Sequence, residues 1–432
     1  MAGNENIQKV FELLDKQLNQ PLKSSLEVCA RCGICAEACH YYVSEPKLEH
    51  VPAFRAEQLR KIYRRKYNFF GKYFPWLVNA QELDEEQFNK LVEIAFSECT
   101  LCRRCTFNCP LGVDTPLVMR VIRAISTATG KAPEILVMLA DSAIAKGENP
   151  EIFKEIFIQQ ISELEKELQE LTGDKEARIP VEKEGARVLY VGLAGAHSIL
   201  PPAIIFNEVK EDWSLSVFEA ANYGVFLGDV ERAKKIAKRI IDEAKRLRVQ
   251  EVIIAECGHA TTALVWDAPN WFGEQFPFKV RSIVEIVAEY IQSGKLILEP
   301  DANLEAVTYH DSCNLARASG ILKEPRIILN SVVKNFKEMN PHGVENYCCG
   351  GGGGLVALPE YYEKRMKAGK AKAEQIRKTG AKIVATACEN CKLQLNDLNN
   401  YYNLGIEVKG LVDLVANAIL HRKSIKQEKI TS

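Results

Sequence analysis

Thirteen of the fourteen cysteines stand at spacings that suit metal ligation. Cys29, Cys32, Cys35 and Cys39 form one run, and Cys99, Cys102, Cys105 and Cys109 repeat its intervals. The remaining set is Cys313, the adjacent pair Cys348-Cys349 followed by Gly350 to Gly354, and Cys388 with Cys391. Adjacent cysteines do not readily ligate one small tetrahedral ion together with a distant pair. Five converging thiolates therefore imply a cluster of several irons with a redox task. Gly350, Gly351 and Gly352 would let the backbone approach such a cluster and turn N–H groups toward its sulfurs. A flexible surface loop is the plainer account of the glycines, and no Gly-Lys-Ser/Thr follows to make them a phosphate loop.

The first two runs follow the rule of two-cluster ferredoxins, in which the fourth cysteine of each run reaches the other cube. The expected ligand sets are Cys29, Cys32 and Cys35 with Cys109, and Cys99, Cys102 and Cys105 with Cys39. Two zinc sites would be the structural alternative, but zinc sites rarely use this doubled run. His40 stands where proline usually follows the fourth cysteine. The 59 residues between Cys39 and Cys99 are too many for a compact ferredoxin, so an α-helical two-cluster module over residues 1–130 is expected. Its task would be conduction of single electrons.

The elements that must position these residues change character along the chain. Residues 7–19 place Val10, Leu13, Leu14 and Leu18 on one helical face. Residues 117–146 read as two helices separated near Gly130 and Pro133. An amphipathic helix over 151–171 lies in a linker, residues 131–185, as a spacer or a partner-binding helix. From Ala186 strands alternate with helices, which predicts α/β architecture with mostly parallel pairing. Expected strands are Arg187–Leu193, Glu251–Ala255, Ala306–His310 and Lys382–Thr386. Expected helices are Val230–Leu247, Ile283–Gln292, Pro325–Asn330, Tyr361–Thr379 and Leu411–Ala418. The apolar stretch 188–206 contains His197, Pro201 and Pro202, and reads as a buried strand and a loop rather than a membrane span.

These two rounds, 186–300 and 301–432, resemble a degenerate repeat. Glu251 to Cys257 echoes Lys382 to Cys388, a strand ending in a cysteine, with Ala260 where the second round has Cys391. Asn222-Tyr223 stands roughly where Asn346-Tyr347-Cys348-Cys349 stands. Cys257 with His259 is then a buried remnant, or else lines the active pocket or serves as a ligand there.

Composition is that of a water-soluble globular protein, 47% hydrophobic and 26% charged. A net charge of −1 gives no general attraction to nucleic acid, and no nucleic-acid motif is present. Met1 to Asn6 lacks the basic start and apolar core of a secretory leader, so a reducing cytoplasmic setting is expected for the thiols.

Tyr309 to Arg317, Cys348-Cys349-Gly350 and Cys388 with Cys391 resemble the cysteine-rich CCG domain of heterodisulfide reductases. Joined to a ferredoxin module, the layout resembles the D-type subunit of those enzymes and the related DsrK subunit. The likeness runs from about residue 20 to 420. It implies two cubane [4Fe-4S] clusters and one non-cubane [4Fe-4S] cluster, the latter on Cys313, Cys348, Cys349, Cys388 and Cys391. Ser312 and Asn314 depart from the commoner proline and histidine of the family. Heterodisulfide reductases of this type carry two five-cysteine sites and this chain can build one. The expected substrate is therefore a disulfide or trisulfide on a small DsrC-like sulfur-carrier protein. Electrons would come from a membrane cytochrome b-type partner oxidising quinol, with this chain attached peripherally through it. The main alternative is an electron-transfer subunit of a flavin-dependent glycerol-3-phosphate, glycolate or lactate dehydrogenase.

His310 with Asp311 could relay protons beside the cluster or simply hold a loop. Arg317 could bind an anionic product, cap a helix or be solvated. Arg55, Arg60, Lys61, Arg64, Arg65, Lys66 and Lys72 interleave with aromatics from Tyr63 to Trp76, which suits either a docking face or a solvated helix.

Overall fold

The computed structural model describes residues 2–431. Its first part is helical. Pro52–Tyr67, Glu85–Ser97 and Thr115–Ala128 pack their apolar faces around Leu14, Leu59, Leu91 and Ile122. The two cysteine runs lie in the connecting loops and turn alike. Arg31 and Leu101, two residues after the first cysteine of each run, have φ of 55° and 57°. Gly33 and Arg103, two residues further on, have φ of 81° and 63°. Alternate left-handed residues curl a backbone into a nest, which brings successive thiols to one side. Three of the four are not glycine and carry strain, as positions shaped by function often do.

Two parallel four-stranded sheets follow. The first contains β1 (Val188–Val191), β2 (Trp213–Leu215), β3 (Glu251–Ile254) and β4 (Lys279–Ser282), in the order β2-β1-β3-β4. The second contains β5 (Val307–Tyr309), β6 (Phe336–Lys337), β7 (Ile383–Ala385) and β8 (Glu407–Lys409), in the order β6-β5-β7-β8. The same order twice is the mark of a duplicated unit. β1, β5 and β7 are buried at every residue because helices cover both faces of a parallel sheet. In each sheet the winding reverses between the two central strands. The crevice beyond their C-terminal ends is where such sheets bind ligands.

Several elements differ from the sequence expectation. The segment after β1 is a helix, Ala196–Glu208, with Pro201 and Pro202 inside it rather than a loop. Pro202 has no N–H for the Ser198 carbonyl. The Tyr190 hydroxyl donates to that oxygen instead, at 2.7 Å, so the helix can run through. Tyr361–Thr379 is divided into Tyr362–Ala368 and Lys370–Thr379. Gly369 sits between them, where a Cβ would come within 2.6 Å of Leu398. The terminal helix runs on to Thr431. Among the described residues no helix is long and apolar enough to cross a membrane.

Arg123 holds the parts together. Its fully buried guanidinium donates to four carbonyls: Ala95 (2.9 Å) and Cys99 (2.8 Å) of the helical module, Phe226 (2.8 Å) of the first α/β unit and Gly353 (2.6 Å) of the second. The glycine run is required for this approach. A Cβ at Gly353 would lie 3.0 Å from the guanidinium, and one at Gly352 would lie 2.9 Å from the Thr100 carbonyl. Arg123→Met removes all four hydrogen bonds and strands buried carbonyls. It is expected to cost ~3 kcal/mol or more, read as a lowered urea midpoint, with the α/β units released early to limited proteolysis.

Candidate functional site

The nested loops of the first run close on a cavity lined by Cys29, Cys32 and Cys35, with Cys105 and Cys109 of the second run also in its wall. Cys105 lies among Cys102, Cys39 and Cys99. Burial first, then these neighbouring thiols, push its pKa well up. The two runs therefore interleave, with cysteines of each lying beside those of the other. Arg55 points into the second group, donating to Cys39 Sγ at 2.9 Å. It is 3% exposed and Arg60 is 1% exposed, so neither belongs to the basic face expected from sequence. Of that face, Arg64 pairs with Glu57, Arg65 with Glu82 and Lys66 with Asp15.

The five remaining cysteines meet at the crevice of the second sheet. Cys313 follows β5, while Cys388 follows β7 and precedes the helix Glu389–Tyr402, placing Cys391 in that helix's first turn. A helix N-terminus directs free N–H groups at thiolates and favours their charge. Cys348 and Cys349 enter on the loop before the glycines. Gly350 N–H donates to Cys348 Sγ at 3.4 Å, and Cys349 Sγ lies 3.5 Å from Cys391 Sγ. All five are at most 8% exposed. Hydrogen bonds from Cys102 and Cys313 draw Cys348 down to about 5. Those with Cys348 and Cys391 draw Cys349 well below the usual thiol range, and the one with Cys391 draws Cys388 to about 7, while the same contacts push Cys313 and Cys391 well up. Thiolates are the form that binds metal.

The same geometry joins this group to the helical module. A nitrogen of His40 and the sulfurs of Cys102 and Cys348 lie within 4.8 Å of one another. Arg317 clamps the junction, donating to the carbonyls of Cys102 (2.7 Å), Val344 (2.9 Å) and Asn346 (2.8 Å). It is neither a solvated residue nor a helix cap. The buried contacts of His40 and of the arginines carried no sequence signal, because no local spacing records a contact between residues 102 and 348.

A ring nitrogen of His310 lies within 4.8 Å of Cys349 and Cys391. Its Nδ1 is 3.1 Å from the Asn346 amide nitrogen. Burial, then the nearby Lys372 charge, drives its pKa down to about 3, so the ring is neutral. Asp311 is committed elsewhere, to Arg326 and the Gly343 N–H. In the first unit Cys257 Sγ lies 3.3 Å from His259 Nδ1, and burial alone takes His259 to about 4. These two are outside the five-thiol group, although Gly258 N–H donates to Cys388. Glu256 ties the units together by accepting from the Leu411 and Val412 N–H groups at 2.7 and 3.2 Å.

The donor set suits iron–sulfur clusters. Thiols make up every group, and several buried donors beside them have no protein partner: His40 Nε2, Thr100 Oγ1, Ser312 Oγ and Arg317 Nη2. Bridging sulfides and thiolate sulfurs are acceptors of the kind such donors need.

Residues 25–113 match the family model of the 4Fe-4S dicluster domain, and residues 307–396 match that of the cysteine-rich domain. An Hdr-like menaquinol oxidoreductase iron-sulfur subunit 2 of Archaeoglobus fulgidus is 30% identical over 472 aligned positions, spanning 96% of this chain and 84% of the relative. The chain belongs to the heterodisulfide-reductase-like iron–sulfur family. The D-type subunit of the dihydromethanophenazine:CoB–CoM heterodisulfide reductase of Methanosarcina barkeri is 26% identical, over 94% of this chain and 96% of its own length. An EtfAB:quinone oxidoreductase of Syntrophomonas wolfei is 24% identical over 86% of this chain and 55% of its own. As a member of this family the chain is an iron–sulfur oxidoreductase with an electron-transfer role.

Glu256 yields a pH test. Desolvation first, with Asp413 adding and Lys392 opposing, raises its pKa from 4.5 to about 8. The folded state therefore holds a proton that the unfolded state releases between those values, and stability falls as pH rises across that window. The slope from this group is at most ~1.4 kcal/mol per pH unit. Glu256→Gln is expected to flatten the decline in urea midpoint between pH 5 and 8; an unchanged slope would assign the decline to other groups.

Proposed function

We propose that this chain is the subunit of a membrane-associated respiratory complex that carries single electrons to the five-cysteine site and there reduces an S–S bond. Cys29, Cys32, Cys35 and Cys109 would hold one cubane [4Fe-4S] cluster, and Cys39, Cys99, Cys102 and Cys105 a second. Cys313, Cys348, Cys349, Cys388 and Cys391 would hold a non-cubane [4Fe-4S] cluster. When bound, these clusters supply one-electron conduction and a place to gather the two electrons that S–S cleavage consumes. The observation that carries the reading is the approach of Cys102 to Cys348 within 4.8 Å, which puts a ligand of the conducting pair against the five-cysteine site.

With two electrons and two protons a disulfide gives two thiols, and a trisulfide gives one thiol and one persulfide. The first α/β unit keeps one cysteine of the five, so a single site must serve. This favours a disulfide or trisulfide presented by a small DsrC-like carrier over a small heterodisulfide gripped between two sites. A cytochrome b-type membrane partner oxidising quinol would supply the electrons, in keeping with the menaquinol oxidoreductase name of the Archaeoglobus relative. Burial of all five cysteines favours a second reading, pure electron transfer, as in the iron–sulfur subunits of flavin dehydrogenases.

Anaerobic protein should show a paramagnetic signal from the oxidised five-cysteine cluster. Cys313→Ala is expected to abolish or alter it while leaving both cubane signals. Addition of a thiol or a carrier-protein disulfide should shift it in wild type. A signal indifferent to every sulfur ligand would leave pure electron transfer as the function.

A further inference from the structure

Lys372 has no exposed surface, yet no carboxylate lies within ion-pair distance of it among the described residues. Its Nζ donates to Asn346 Oδ1 (2.6 Å) and Gln375 Oε1 (2.5 Å) and lies 3.5 Å from Met339 Sδ. All three acceptors are neutral. A buried ammonium held this way is costly, and an apolar side chain of similar length would pack in its place without the penalty. Burial draws its pKa to about 7, and the charges that pull it back are those of Cys349, Asp311, Cys348 and Cys391. The Asp311 carboxylate already faces Arg326 and the Gly343 N–H. The link from Lys372 to the thiols runs through Asn346 to His310, a ring nitrogen of which lies within 4.8 Å of the Cys349 and Cys391 sulfurs.

The contact also fixes the polarity of a hydrogen-bond chain. An ammonium can only donate, so the Asn346 carbonyl oxygen must face Lys372. The Asn346 amide nitrogen is then the donor to the Asp311 carbonyl (2.8 Å) and to His310 Nδ1 (3.1 Å). His310 Nδ1 must accept, which leaves the ring proton on Nε2. Loss of that proton would create an imidazolate, so a ring held in this way offers a hydrogen bond rather than a proton.

We propose that Lys372 is a positioning residue of the five-cysteine site, whose buried charge offsets the thiolates and the cluster they hold and which, through Asn346, locks His310 as an Nε2–H donor. The proposal rests on the reading that these cysteines carry a redox cluster. Electron arrival makes such a cluster more negative, and a fixed cation nearby favours that state. The charge of Lys372 thus makes the site easier to reduce, and the neutral His310 gives sulfur there a donor of fixed polarity.

The test is an EPR-monitored redox titration of the full-length, anaerobically purified protein, with iron and sulfide contents measured alongside. Lys372→Met and Lys372→Gln are expected to retain full iron while the five-cysteine cluster becomes at least tenfold harder to reduce, ~59 mV for one electron. The cubane potentials should move less and serve as the internal control. Asn346→Asp keeps the lysine and nearly the same shape, but it pairs the charge and withdraws the donor from His310. It should shift the potential in the same direction, and it decides the matter if the lysine variants do not fold. An unchanged five-cysteine potential in fully loaded variants overturns the proposal and leaves the proposed function standing. Wild-type protein with iron for the cubanes alone would sink the proposed function, and this proposal with it.

Discussion

Negative charge gathered on buried sulfur has to be balanced from within the protein, because water is excluded from the five-cysteine site and from Cys39 and Cys99. Arg55, Arg123, Arg317 and Lys372 are each at most 7% exposed, and among the described residues none forms an ion pair with a carboxylate. Cations buried without counter-ions would destabilise an ordinary core. Here each stands at or near a cysteine group: Arg55 on Cys39, Arg123 on the Cys99 carbonyl, Arg317 on the Cys102 carbonyl and Lys372 behind Asn346. The thiolate groups and the four cations therefore depend on one another, and much of the architecture follows from keeping them in register.

That dependence explains why the domains are pressed together rather than strung on linkers. Arg123 needs carbonyls from the helical module and from both α/β units, and Arg317 spans from the Cys102 loop to the segment before Cys348. The glycines after Cys349 serve this contact as much as the cysteines beside them. Gly352 and Gly353 let the chain lie against Thr100 and Arg123, where any side chain would push the two cysteine groups apart. Close approach of the groups is what electron transfer between them requires, so domain packing and conduction rest on the same contacts.

The two α/β units show how a duplicated fold can divide its labour. Both keep the strand order that opens a crevice at the ends of the central strands. The second unit fills its crevice with the five cysteines. The first keeps Cys257 and His259, fills the neighbouring space with Phe226, and lends Gly258 N–H and the Glu256 carboxyl group to the second. The unit with a single cysteine forms a structural wall for the other.

Much of this was legible in the chain itself. The cysteine intervals, the central strands β1, β3, β5 and β7, and the repeat between Glu251–Cys257 and Lys382–Cys388 are local patterns. Short runs of apolar residues and fixed spacings survive in a one-dimensional string. The edge strands β2, β4, β6 and β8 were not legible. They are two to four residues long, and β4, β6 and β8 carry lysine or glutamate, since an edge needs a partner on one side only. The helix through Pro201 and Pro202 was hidden because a tyrosine from β1 rescues it. The cysteine spacings and the fold class could be read from the chain alone, since both rest on neighbours a few residues apart. The meeting of Cys102 with Cys348, the burial of Arg55 and Lys372 as charges, and the clamp made by Arg317 emerged only in the folded molecule. Those facts depend on burial and on contacts between residues hundreds of positions apart, and spacing along the chain carries no record of either.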